Sequence, residues 1–115
     1  MKIYVAGPYS DQTPEQRTYN VRAAIELGLK LVMLGHNPFI PHLTHYVEEH
    51  CSGLGIELGY EDYMSWDQAF QDVCEGFFYM RSSPGADREL ERAIELGQKI
   101  YRTLDEVPFV IEVKK

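Results

Sequence analysis

A chain of 115 residues, 44% of them hydrophobic, makes one domain, residues 1–115, able to bury roughly two-thirds of the surface its unfolded form exposes. A net charge of −7 and a pI near 5.0 argue against a nucleic-acid polymer or an anionic membrane as partner, because both need a basic footprint. Cys51 and Cys74 are too few for a disulfide framework. With a start that reads as a strand and not as a signal peptide, they fit a reducing cytoplasm.

The first strand is expected at Lys2 to Ala6, ended by Gly7-Pro8. Thr13-Pro14-Glu15-Gln16 supplies a hydroxyl cap, a proline at the first helical position and a glutamine three residues after the cap, which together start a helix. Val21, Ala24, Ile25, Gly28, Leu31 and Val32 form its buried stripe, and Gly35 stops it. His36 to Ile40 reads as a short strand, confined by Pro38 to an edge or a strand end. Pro41 to Gly59, with three His and three Gly, reads as a mostly irregular flap or interface segment.

A second long helix is expected from about Tyr60 to Cys74, then an apolar strand, Gly76 to Met80, of the kind buried on both faces. The next helix opens near Pro84, and its seam is Ala86, Leu90, Ala93 and Ile94. Strands at Lys99 to Tyr101 and Phe109 to Val113 complete the alternation. This pattern predicts a three-layer α/β domain, a Rossmann/flavodoxin-like parallel sheet of about five strands with helices on both faces. Ligands of such sheets bind beyond the carboxyl ends of the strands. The loops Gly7 to Ser10 and Arg81 to Gly85 both fall there.

Two acids are out of place. Glu89 lies on the apolar seam of its helix, whereas Glu91 and Glu95 share the opposite face with Arg88 and Arg92. Asp67 lies on the seam of Tyr63, Phe70 and Cys74, with Trp66 and Val73 flanking. Burial and a neighbouring carboxylate both raise a carboxyl pKa, so one acid can stay protonated while the other is an anionic nucleophile. That division of labour is the chemistry of glycosyl transfer. On pattern alone, each acid taken singly is better explained by a backbone or arginine partner.

Three stretches, "IYVAGPYS", "WDQAFQDVCEGFFYM" and "SSPGADRELERA", together resemble the nucleoside 2-deoxyribosyltransferase superfamily, closest to its 2'-deoxynucleoside 5'-monophosphate N-glycosidase branch. The likeness runs from Ile3 to about Gly97. By position it makes Glu89 the nucleophile on C1', Tyr4 the hydroxyl that orients it, and Asp67 the proton donor to the departing base. It also implies a substrate pocket formed by Gly7, Pro8, Tyr9, Ser10, His42, Ser83, Gly85 and Ala86, a nucleoside or nucleotide substrate, no cofactor, and a homodimer or higher homo-oligomer.

The resemblance also bears on the 5' group. In the nucleoside transferases an Asp six residues before the nucleophile receives the 5'-hydroxyl, and in the nucleotide hydrolases a Ser there receives the 5'-phosphate. Ser83 therefore implies a nucleoside monophosphate, although the same residue also reads as a plain helix cap. Gly-Pro-Tyr-Ser replaces the loop in which the hydrolases carry a phosphate-contacting Arg, leaving Arg17, Arg22 or Arg81 to supply charge.

Three alternatives remain beside the hydrolase. One is a transferase moving deoxyribose between bases, and another is a non-catalytic nucleotide-binding module, which has no need of a poised nucleophile. The third concerns placement: "GLGIELGY" also resembles the nucleophile motif, but it follows no apolar strand, so Glu89 is preferred over Glu57. His42, His45, His50 and Cys51 lack the ligand spacing of a zinc site, and no metal is expected.

Overall fold

The computed structural model describes residues 1–110. Strand β1, Lys2–Ala6, sits at the centre of the chain's architecture because its four apolar-facing positions are all inaccessible to solvent. Alternation along a strand sends Ile3 and Val5 to one face and Tyr4 and Ala6 to the other. Each pair meets a different core. Ile3 and Val5 pack with Ala24, Leu31, Phe78 and Tyr101, and Tyr4 and Ala6 pack with Cys74, Phe77, Ala86 and Ala93.

The strands β2 (Asn37–Phe39), β3 (Gly76–Tyr79) and β4 (Lys99–Tyr101) join β1 in the order β2-β1-β3-β4, all parallel. Pro38, opposite Ile3, is tolerated because β2 is an edge. Helix α1, Pro14–Met33, is capped as expected, with Thr13 Oγ1 accepting from the Gln16 N–H at 3.2 Å. It covers the Ile3 and Val5 face. Gly28 allows its close approach, since a Cβ there would lie 2.3 Å from Ile40 Cδ1. Helices α3, Tyr60–Gln71, and α4, Pro84–Leu96, follow the 3-10 turn Pro41–Leu43 and helix α2, Thr44–Leu54. Ala86 and Ala93 bring α4 close against the Tyr4 face.

The structure differs from the sequence expectation in three places. Pro41 to Gly59 is mostly helical. No side chain caps α2; the chain enters it from the 3-10 turn with Leu43 already right-handed (φ −66°, ψ −16°), and Gly55 ends it at φ +70°. None of its residues is buried, so it carries no core-facing periodicity to read. Second, the apolar seams are narrower than expected, for Ile94 and Val32 are exposed. The small residues of α4 draw its axis toward the sheet, and a side chain beside that stripe faces outward. Third, the described sheet has four strands where about five were expected. Phe109 and Val110 run as coil, tied by the Val110 N–H to Leu34 O at 2.8 Å, and residues 111–113 lie outside the described residues. No helix among the described residues is long and apolar enough to cross a membrane.

Candidate active site

Strand order reverses between β1 and β3, with β2 on one side and β4 on the other. The loops at their carboxyl ends therefore diverge and leave a crevice. A cavity of about 500 Å³ occupies it, within the range of small-molecule sites. The loop after β1 lines it with Gly7, Tyr9 and Ser10, the turn after β2 with His42, α3 with Asp67, and the start of α4 with Ser83, Gly85, Ala86 and Glu89. Pro8 contributes indirectly, through a carbonyl that accepts from His42.

Tyr4 lies under Glu89 and donates its hydroxyl hydrogen to Glu89 Oε2. The strand register holds the Tyr4 ring, because Phe39 and Phe77 are its partners on β2 and β3. Their rings stack on it at 5.7 and 5.8 Å, and Phe70 of α3 extends the stack beyond Phe39 at 4.8 Å. Burial, with the Glu89 charge beside it, pushes the Tyr4 phenol well above its ordinary pKa. Tyr4 therefore stays a donor and never competes as an anion.

The two carboxyl groups are both buried, and each is pushed up to about 7. For Asp67 the cause is burial. For Glu89 burial is again the largest cause; the Tyr4 hydrogen bond opposes it and the Asp67 charge adds to it. Their surroundings divide the roles. Glu89 receives a donor that favours its anion, whereas Asp67 Oδ1 has no hydrogen-bond partner among the described residues. The proton shared by the pair therefore belongs on Asp67. An anionic carboxylate with an acid beside it, in one cavity, can attack a carbon and protonate its leaving group.

Several contributors carried little signal in the sequence. Gln71 stands one turn beyond Asp67 on α3 and donates from Nε2 to the backbone oxygen of Glu89 at 2.8 Å. Gln98 in turn donates to Gln71 O at 2.6 Å and Cys74 O at 2.9 Å. These buried amides index α4 against α3. A polar residue four positions after Asp67 on the same seam was the available clue. Glu48, Tyr60, Tyr63 and Met64 also line the cavity. Tyr9 OH lies 2.8 Å from both Glu48 Oε2 and His45 Nδ1.

Glu57 is exposed on the segment between α2 and α3 and does not line the cavity, although its neighbour Leu58 does. Ser83 caps α4, its Oγ accepting from the Ala86 N–H at 3.1 Å. That occupies Ala86, and leaves the Ser83 O–H and the Gly85 N–H, which has no intrahelical acceptor in the first turn, as donors to a ligand. Of the three candidate cations, Arg17 is tied to Asp11 O at 2.6 Å, and none of Arg17, Arg22 or Arg81 lines the cavity. His42, His45 and His50 are not brought together, and among the described residues no three His, Cys, Asp or Glu side chains are grouped to hold a metal ion.

The same fold occurs in a solved 2-deoxyribosyltransferase from the psychrotolerant bacterium Bacillus psychrosaccharolyticus. The two superpose with a TM-score of 0.62 at 19% sequence identity, over 87% of this chain and 69% of the other. At that identity the likeness establishes the shared fold alone. No protein-family model and no curated protein sequence matches the chain.

The buried acid has a consequence for stability. Asp67 titrates near 3.8 when unfolded and at about 7 in the fold, so between those values the folded form binds more protons and stability falls as pH rises. Asp67→Asn removes that penalty. Its gain in melting temperature over the wild type should be smallest near pH 3.5, below the unfolded value, and larger by about 4 °C or more at pH 8. A thermal melt series giving the same difference at both pH values would contradict the assignment of Asp67 as an uncompensated buried acid.

Proposed function

We propose that the protein is an N-glycosidase that cleaves the base–sugar bond of a (deoxy)nucleoside 5'-monophosphate through a covalent Glu89–sugar intermediate. The observation that carries this reading is the Tyr4 hydroxyl donating to Glu89 in a cavity that Asp67 shares. Tyr4 holds Oε2 and leaves Oε1 to attack C1'. As the Oε1–C1' bond forms, the C1'–N bond breaks, its electron pair goes to the base nitrogen, and Asp67 delivers its proton there. Water then attacks C1', giving its proton to the Asp67 carboxylate and releasing Glu89. The shared fold of the 2-deoxyribosyltransferase supports the same chemistry. A non-catalytic nucleotide binder would leave the buried acid pair without purpose.

A second reading has an observation of its own. Among the described residues no Lys or Arg lines the cavity, which suits an uncharged nucleoside and deoxyribosyl transfer to another base. The donors at the α4 start, the Ser83 O–H and Gly85 N–H, support the monophosphate instead, since a helix N-terminus favours an anion. We also infer a homodimer or higher homo-oligomer. Trp66, Phe70 and Val73 are exposed around α3, and Leu54, Ile56 and Leu58 before it, apolar surface that a partner copy would cover.

Three experiments test these readings. Glu89→Gln should lower base release from a nucleotide panel by at least ~10³-fold with the fold intact, and Glu57→Ala should leave it unchanged; the reverse result would move the nucleophile to the loop. Wild type should prefer the 5'-monophosphate over its nucleoside in kcat/KM by roughly tenfold or more, and Ser83→Asp should invert that ratio by repelling phosphate. An unchanged ratio means that Ser83 only caps the helix. Sedimentation at micromolar concentration should show a dimer or larger species, and a 13.3 kDa monomer alone would overturn the assembly.

A further inference from the structure

The acid and the nucleophile stand on different helices, and a gap lies between those helices. A second cavity, about 180 Å³, separates α3 from α4, lined by Gln68 and Gln71 on one side and by Arg88 and Arg92 on the other. Two ion pairs join the helices, Arg88 with Glu61 and Arg92 with Asp72, each at 2.8 Å. Both are solvent-exposed, where screening and side-chain entropy leave an ion pair little net strength. Of the hydrogen bonds between the two helices among the described residues, the one from Gln71 Nε2 to Glu89 O is buried. Gln71 is 1% exposed. A backbone oxygen keeps a second lone pair beyond the one its helix uses, so Gln71 holds Glu89 without opening α4. Gln71 also follows Asp67 by four residues, which sets this tether one turn of α3 from the acid.

Resting on the glycosyl-transfer reading, we propose that Gln71, held in place by Gln98, is a positioning residue that sets the separation of the Asp67 acid from the Glu89 nucleophile. Close packing does not set it, because the space between the helices is a polar cavity. Gln98 Nε2 fixes the end of α3 through Gln71 O and Cys74 O. Its Oε1 has no partner among the described residues, a cost that an apolar side chain in this buried place would avoid. Covalent glycosyl transfer places its two carboxyl groups about 5 to 5.5 Å apart, and a misplacement of about 1 Å can cost ~10²-fold in rate. Gln71 does not line the substrate cavity, so its effect falls on the chemical step and not on substrate binding. The Asp67 charge adds to the upward push on Glu89, so the same separation governs how strongly the two acids titrate as a pair.

The test compares wild type with Gln71→Met and Gln98→Met, each of which keeps the length of the side chain and loses its donor. On the 2'-deoxynucleoside 5'-monophosphate that wild type cleaves best, Gln71→Met should lower kcat by roughly tenfold or more and leave KM unchanged. Gln98→Met should lower kcat by a smaller factor. The double variant should lose less than the product of the two single losses, because both act through one bond; a loss equal to the product would overturn the part given to Gln98. Carbon NMR of protein labelled at its Asp and Glu carboxyls reads the same separation without turnover. In wild type Asp67 and Glu89 should titrate in two separated steps, and in Gln71→Met those steps should draw together as α4 moves away from α3. A role in stability alone predicts folded variants that melt earlier but keep the wild-type kcat and titration. Either an unchanged kcat or an unchanged titration in folded Gln71→Met overturns the proposal and leaves the glycosidase reading standing. Should Gln71→Met not fold, Gln98→Met decides by the same two measurements. If wild type cleaves no nucleotide, the glycosidase reading falls, and the titration alone decides the tether: steps that draw together sustain it, and unchanged steps sink it.

Discussion

A carboxylate sealed away from water needs a donor pointed at it, and the Tyr4 hydroxyl is the donor on which this architecture depends. Tyr4 reaches Glu89 because it occupies the central strand at the one register that places Phe39 and Phe77 on its two sides. Shifting β1 by one residue would turn Tyr4 to the opposite face and exchange the two cores. The same alternation that builds the hydrophobic core therefore also aims the hydroxyl. Stability and chemistry share one geometric specification here, and neither can drift without the other.

The polar groups around Glu89 form a graded environment. Tyr4 supplies a donor to the carboxylate, Gln71 anchors the backbone of the same residue, and Asp67 adds a charge that makes double ionisation costly. Both acids are pushed up by burial, which favours one shared proton over double ionisation, and the Tyr4 donor favours Glu89 as the anion. The cap at Ser83 and the Asp87 carboxylate, which accepts from Tyr79 and Ser82 at 2.7 Å, fix the loop from which α4 starts. Glu89 consequently rises from a helix that is anchored at its first turn and midway along.

Elements with a core to face were legible in the sequence, and those without one were not. The strand Lys2–Ala6 and the cap at Thr13 stand where alternation and capping chemistry put them. Glu89 and Asp67 were conspicuous because an acid on an apolar seam breaks a pattern. Helix α2 broke none, since it buries nothing, and the places of Glu48 and His42 in the cavity wall depend on neighbours distant in sequence. Gln71 and Gln98 act through backbone oxygens of other elements, and no local pattern announces such a bond.

The amide chain from Gln98 through Gln71 to Glu89 also bears on when the reactive pair comes into being. Tyr4 and Glu89 are 85 residues apart, Gln98 and Gln71 are 27 apart, and His42 and Gly7 are 35 apart. Each is a long loop to close, and closure entropy is lost before the contact returns anything. A nascent chain that has emerged only as far as α3 holds Asp67 and Gln71 but not Glu89, and one that stops at the end of α4 holds both acids without Gln98. The carboxylate thus gains its burial, and its altered affinity for protons, only from contacts that span most of the chain.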